Sequence, residues 1–302
     1  MTEHYSEKLF FERKYEMKTR KHKVLDHPIL GYFLLVIWGM MVNGIGSLLD
    51  TSILAKFIPG YAMQVEFMGK TNLTASGVMV AVVTLLALLI HKKWFAPNYK
   101  GMLTTKNLKM GLILLIPVII AHWVGSFISI SAIGIGSIGL AFLRAFSPAF
   151  GEEMMFRGLG ISNFMRTIKS EKKIYVIFWL SSLVFGFTHA SNTFNGASLS
   201  NSLIQSLAAV GLGLLLGAVY LRTGNLWTTI IAHYCLDFME FTRADLTASG
   251  GVMQEMLLGD KITVAVAIIA GIFAIYLMRK SKLPEIMEVW NEKWGKSENL
   301  QE

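Results

Sequence analysis

Charged side chains set in otherwise apolar sequence are the first candidates for chemistry. Gly151-Glu152-Glu153-Met154-Met155-Phe156-Arg157-Gly158 places three charges in an apolar stretch. On an α-helix Glu153 and Arg157 stand four apart on one face and can pair. Glu152 projects about 100° away and is left without that partner. A carboxyl with no cation beside it in a low-dielectric setting suits a general base. A charge-neutralised packing pair accounts for Glu153 and Arg157 but leaves Glu152 unexplained.

Two further groups repeat the four-residue spacing. In Phe185-Gly186-Phe187-Thr188-His189 the ring of Phe185 and the imidazole of His189 share a face; alone, such a terminal histidine reads as an interfacial residue. In His233-Tyr234-Cys235-Leu236-Asp237, His233 and Asp237 share a face. That pair suits metal ligation, a base with its orienting acid, donors facing an oxyanion, or a plain interhelical hydrogen bond. His122 has no charged neighbour within reach on its own helix and reads as a helix-packing hydrogen bond, as do Asn43, Ser126, Ser129 and Gln205.

The elements that must hold these groups follow from composition. Of 302 residues, 53% are hydrophobic and 16% charged, with a mean hydropathy of +0.51. A soluble domain carries roughly 25% charged residues, so an ordinary cytosolic enzyme and a disordered chain are both excluded. The single cysteine, Cys235, excludes an intrachain disulfide framework and multi-cysteine metal sites. The net charge of +8 clusters between apolar runs, which suits a membrane surface rather than nucleic acid.

Apolar runs near 28–49, 73–91, 108–130, 140–165, 174–190, 200–221, 226–240 and 262–278 predict an all-α, polytopic membrane bundle of about eight helices. Lys and Arg concentrate in every second connection: Lys8 to Lys23, then Lys92, Lys93, Lys100, Lys106 and Lys109, then Arg166 to Lys173, then Arg222, then Arg279, Lys280 and Lys282. This alternation places both termini in the cytoplasm. The organisation expected is a basic leader (1–27) with no cleavable signal, a membrane domain (28–280) and a cytoplasmic tail (281–302), in the cell membrane. The segment 51–72 is expected in the membrane interface, and no internal repeat is present.

A depth argument ties the motifs together. At 1.5 Å per residue, Glu152 lies roughly 21 Å from the cytoplasmic edge marked by Arg166. His189 lies about 24 Å from Lys173, and His233 and Asp237 about 16 and 22 Å from Arg222. Similar depths on three helices favour one shared site over separate structural repairs, since each buried charge costs roughly 2.5–3.5 kcal/mol to insert.

Taken in order, Glu152-Glu153 with Arg157, Phe185 with His189, and His233 with Asp237 resemble the CPBP family of intramembrane proteases. That family includes the type II CAAX prenyl proteases and bacteriocin-processing or immunity proteins. The run Thr223-Gly224-Asn225-Leu226-Trp227 also resembles the approach to its third motif, and the likeness covers roughly 140–240. The resemblance implies peptide-bond hydrolysis within the bilayer. It implies that Glu152 and His189 activate a water, that His233 and Asp237 stabilise the oxyanion or hold that water, and that Glu153 and Arg157, with Phe185, support the site. Where eukaryotic members have Asn this chain has Asp237. Two cofactor readings stay open: zinc held by His189, His233 and a glutamate such as Glu152, or metal-independent glutamate chemistry; nothing resembles His-Glu-x-x-His. The expected partners are membrane lipid and a peptide or protein substrate, such as a leader peptide, pheromone or bacteriocin precursor, with no nucleic acid. The competing classes are a non-catalytic immunity or scaffold protein and a solute or proton transporter. The absence of repeated halves speaks against the transporter.

Overall fold

The computed structural model describes residues 24–67, 70–94, 103–195, 197–249 and 255–294. The basic leader as far as Lys23, Lys100, and the tail from residue 295 onward lie outside the described residues. The long helices are α1 (Pro28–Ser52), α2 (Val78–Trp94), α3 (Leu108–Ile133), α6 (Lys172–Ala190), α7 (Leu199–Thr223), α8 (Leu226–Phe241) and α10 (Leu258–Leu277). Short α4 (Ile138–Arg144), α5 (Ser162–Thr167) and α9 (Ala244–Ser249) link them, and α11 (Leu283–Trp294) follows α10. Among the described residues the helical fold includes an antiparallel hairpin of β1 (Met63–Phe67) and β2 (Lys70–Thr74) that pairs Met63 with Thr74 and Phe67 with Lys70. It overlaps the segment 51–72 expected to lie in the interface, and its last two residues, Leu73 and Thr74, fall in the run expected to open a span, which becomes helical only from Val78.

Among the described residues five helices are long and apolar enough to cross a membrane: Pro28–Lys56, Leu108–Ile133, Lys172–Phe194, Leu199–Thr223 and Leu258–Leu277. Large apolar side chains such as Met41, Leu48, Ile113, Phe127 and Ile269 stand exposed on their outer faces. An exterior of that kind suits lipid rather than water. Small residues let these helices approach closely. A Cβ on Gly125 of α3 would meet the carbonyl oxygen of Gly259 at 2.9 Å and Thr263 at 2.7 Å on α10, the small-residue packing that membrane helices use.

Buried polar groups close the helix ends. Asp50, near the end of α1, accepts from Gly77 N at 2.8 Å, Met79 N at 3.1 Å and Val80 N at 3.3 Å, so its carboxylate caps α2 from a distance. Gly224, at φ 62°, ends α7 with its N–H on Tyr220 O, and Asn225 then caps α8 by accepting from Thr228 N. The chain turns directly between the two helices and fixes where the face of His233 begins.

The stretch expected as one α-helix over 140–165 departs from α geometry. After α4 it is π-helical over Ser147–Glu152 and again over Met154–Ile161, before α5. Such bulges widen the turn and recur at functional sites. Close packing accompanies this one: a Cβ on Gly151 would meet the Asn43 side chain at 2.8 Å, and one on Gly160 would meet the Tyr32 ring at 2.6 Å.

Candidate functional site

The π-helical stretch brings Glu153 and Arg157 into a buried pair. Arg157 Nη1 donates to Glu153 Oε1 at 3.0 Å, and both side chains are 0% exposed. Arg157 Nη2 also donates to the Gly213 carbonyl at 3.2 Å, and its guanidinium carbon lies 4.5 Å from the centre of the Phe185 ring. A buried guanidinium is tolerable when its charge is paired and its protons are satisfied. Carboxylate, carbonyl and aromatic face together meet the charge and both Nη groups, while Nε has no hydrogen-bond partner among the described residues.

Glu153 reaches further than its own helix. Its Oε1 lies 2.8 Å from Nδ1 of His233 on α8. The other ring nitrogen, Nε2, lies 3.3 Å from Asp237 Oδ2, one turn along the same helix. The imidazole of His233 is therefore held between two carboxylates, one from the π-helical stretch and one from its own helix, an orienting arrangement.

On α6, Nδ1 of His189 lies 3.0 Å from the Phe185 carbonyl, which can only accept. Nδ1 is thus the protonated nitrogen, and Nε2 is left as the ring's acceptor. The Phe185 ring fills the centre of the group, edge-on to His189 at 5.0 Å, His233 at 6.0 Å and Phe156 at 5.2 Å. It separates the charged groups with apolar surface and fixes their orientations by packing.

Glu152 stands apart from the paired cluster. Its Oε2 is buried and has no hydrogen-bond partner among the described residues. His189, His233, Asp237 and Glu153 all act electrostatically on it. Two cavities meet beside it. One, of about 260 Å³, is walled by Glu152, Phe185, His189, His233 and Asp237. The other, of about 490 Å³, is walled by Glu152, His189, Asn43, Ser147 and Arg144. The structure thus brings Glu152, His189, His233 and Asp237 to one cavity wall.

The zinc reading does not fit this geometry. Both ring nitrogens of His233 already face carboxylates, which leaves no lone pair for a metal. Among the described residues no three His, Cys, Asp or Glu side chains group as a metal would require.

A second polar cluster borders the smaller cavity. Nε2 of His122 lies 3.1 Å from Glu240 Oε1, and Ser126 donates to the same oxygen at 2.6 Å. Arg243 bridges Glu240 and Asp260, and Ser129 donates to Asp260 at 2.9 Å. His122, Ser126 and Ser129 therefore serve as interhelical polar contacts. Gln205 accepts from Asn192 at 3.0 Å across the mouth of the same cavity. Glu240, Asp260, Asn192 and Arg144 were missed from sequence. For Glu240 a signal existed, because it lies seven residues after His233 on the face already occupied by Asp237. The other three sit at helix ends or in turns, where spacing carries no information about the partner.

Comparison with curated proteins gives no match, and comparison with solved structures gives none. Residues 134–239 of the chain, the stretch that carries all three motifs, match the family model of the Rce1-like type II CAAX prenyl endopeptidases.

Proposed function

We propose that this chain is an intramembrane endopeptidase of the CAAX-protease type, cleaving a peptide bond in a membrane-associated peptide or protein. The observation that carries the reading is the separation of two adjacent glutamates. Glu153 is tied through Oε1 to Arg157 and His233 and lines neither cavity, whereas Glu152 has no ion pair among the described residues and lines both cavities beside His189.

In this reading Glu152 takes a proton from a water held with Nε2 of His189, and the hydroxide adds to the scissile carbonyl carbon. His233 and Asp237, on the same cavity wall, help hold that water in place. Glu152 then returns the proton to the departing amine as the C–N bond breaks, leaving one new carboxyl and one new amine. Glu153 and Arg157 position His233 and the helix without touching substrate, and Phe185 packs between the two imidazoles on the cavity wall. No metal is needed for these steps.

The same reading makes the chain a cell-membrane protein of eight spans, with α2, the π-helical stretch and α8 completing the five longer helices, and with both termini cytoplasmic. Its substrate is a short membrane-bound precursor such as a leader peptide, pheromone or bacteriocin precursor. The test is Glu152→Gln beside wild type, purified in detergent, with cleavage of membrane peptides followed by mass spectrometry. Glu152→Gln is expected to fold and to lose at least a hundredfold in cleavage. Undiminished cleavage by Glu152→Gln overturns the assignment.

A further inference from the structure

The proton path through Glu152 brings acceptors together but supplies no donor for the oxyanion. Nε2 of His189 is an acceptor, because Nδ1 donates to the Phe185 carbonyl. Both nitrogens of His233 face carboxylates, at 2.8 Å from Glu153 Oε1 and 3.3 Å from Asp237 Oδ2. Addition of hydroxide to a carbonyl carbon puts negative charge on its oxygen, and a fixed donor aimed at that oxygen lowers the barrier. Such a donor has to stand where Glu152 works.

That place is the junction of the two cavities. Among the described residues, the polar side chains lining both are Glu152, His189 and Asn192, beside Pro148 and Phe241. Local geometry brings Asn192 there. Helix α6 ends at Ala190, and the chain continues as a 3₁₀ turn over Ser191–Asn195. Side chains three apart share a face in such a turn, so Asn192 follows His189 on one face. The carboxamide is held from α7, since its Nδ2 donates to Gln205 Oε1 at 3.0 Å. An amide nitrogen carries two protons. Gln205 takes one, and because the amide is planar that bond also sets the direction of the other. The nearby hydroxyls are already engaged: Thr188 donates to the Phe185 carbonyl at 2.6 Å and Ser191 to the Thr188 carbonyl at 2.6 Å.

We propose that Asn192 is a further catalytic residue, whose Nδ2 donates to the oxyanion of the tetrahedral intermediate, and that Gln205 is the positioning residue that turns it. The inference rests on the proteolytic reading above and deepens it by naming the group that meets the developing charge. Asn192 keeps its proton throughout. The charge it meets appears as hydroxide adds to the carbon and disappears as the carbonyl re-forms and the C–N bond breaks.

The probe is the membrane peptide whose cleavage Glu152→Gln abolishes, synthesised with either oxygen or sulfur on the scissile carbonyl carbon and offered in detergent micelles. Asn192→Leu keeps the size of the side chain and removes the donor. On the oxygen form it is expected to lose about a hundredfold in kcat, the low end for one lost oxyanion donor, with KM within about threefold of wild type. Sulfur accepts hydrogen bonds weakly, so the loss on the sulfur form is expected to be about tenfold or less, and the oxygen-to-sulfur rate ratio falls about tenfold from wild type. A residue that only holds the turn would slow both forms alike and leave the ratio standing. Gln205→Leu keeps the donor and frees its direction, for an expected loss of about tenfold in kcat and the same movement of the ratio. That variant decides where thermal unfolding shows that Asn192→Leu does not fold. An unchanged kcat in Asn192→Leu, whether or not KM rises, or a ratio unmoved in both variants, overturns the assignment. Cleavage that survives Glu152→Gln overturns the proteolytic reading instead, so the two failures are distinguishable.

Discussion

Oε1 of Glu153 lies 2.8 Å from Nδ1 of His233, and the same oxygen takes Nη1 of Arg157 at 3.0 Å. One carboxylate oxygen therefore ties the π-helical stretch to α8 and sets the ring plane of His233. Glu153→Gln leaves Arg157 as a buried charge without its counter-ion, and breaking such a pair costs about 3–5 kcal/mol. Thermal unfolding in detergent is expected to show that loss for Glu153→Gln and a smaller one for Glu153→Gln combined with Arg157→Met. If the double variant is less stable than the single one, the pair is not what Arg157 needs.

Asp237 accepts from a ring whose other side is already held, so its part is to keep Nε2 of His233 aimed. Asp237→Asn keeps an acceptor at the same place, and Asp237→Ala removes it. Peptide cleavage is expected to fall modestly in the first and by roughly a hundredfold in the second, the lower end of what a positioned group contributes to acid–base catalysis. Equal activity in Asp237→Ala and wild type would remove the residue from the proposed machinery.

The membrane bundle was legible because hydropathy runs depend only on local composition. Glu152, Glu153 and Arg157 were legible because a charge in an apolar run has few innocent explanations. What sequence did not carry was local geometry set by packing. The π-helical turns around Glu153 accompany α1 resting on Gly151 and Gly160, a contact between segments a hundred residues apart. The reach of Glu153 to His233 crosses eighty positions, and the α-helical spacing rule sees only the partner four residues away, Arg157. Arg243 reads as a loop charge, yet it is wholly buried between Glu240 and Asp260.

Gly160 tests the packing account directly. The Tyr32 ring occupies the space where a Cβ would lie, at 2.6 and 2.8 Å. Gly160→Ala is expected to destabilise by about 1–3 kcal/mol, the usual cost of overpacking. Pairing it with Tyr32→Leu should return part of that loss, read by the same thermal unfolding. Additive losses in the double variant would mean that the two residues do not press on one another.

The helix α11 holds the turn that precedes α8. Trp290 is buried there, donating from Nε1 to the Leu221 carbonyl at 2.8 Å and meeting the Tyr220 ring edge-on at 5.3 Å. Trp290→Phe keeps most of the apolar area and loses the hydrogen bond, for about 1 kcal/mol. Trp290→Ala opens a cavity, for about 3–5 kcal/mol. A tail that merely drapes over the bundle would show neither loss in thermal unfolding.

Lys293, one turn further along α11, gives this contact a pH dependence. Its ammonium donates to the Gly224 carbonyl and lies 5.1 and 5.3 Å from the Trp290 and Tyr220 rings. The rings and the carbonyl favour the charged form, but burial outweighs them and lowers the pKa from 10.5 to about 7. The unfolded chain then holds a proton at Lys293 that the folded chain has released between about pH 7 and 10.5. Stability therefore rises with pH through that window, with a slope of at most about 1.4 kcal/mol per unit. Below pH 7 both states carry the proton and the group adds no slope. Lys293→Met removes the titrating group while keeping most of its length, so its thermal stability, compared with wild type from pH 6.5 to 9.5, should lack that rise. A rise of the same size in Lys293→Met would assign the pH dependence to another group.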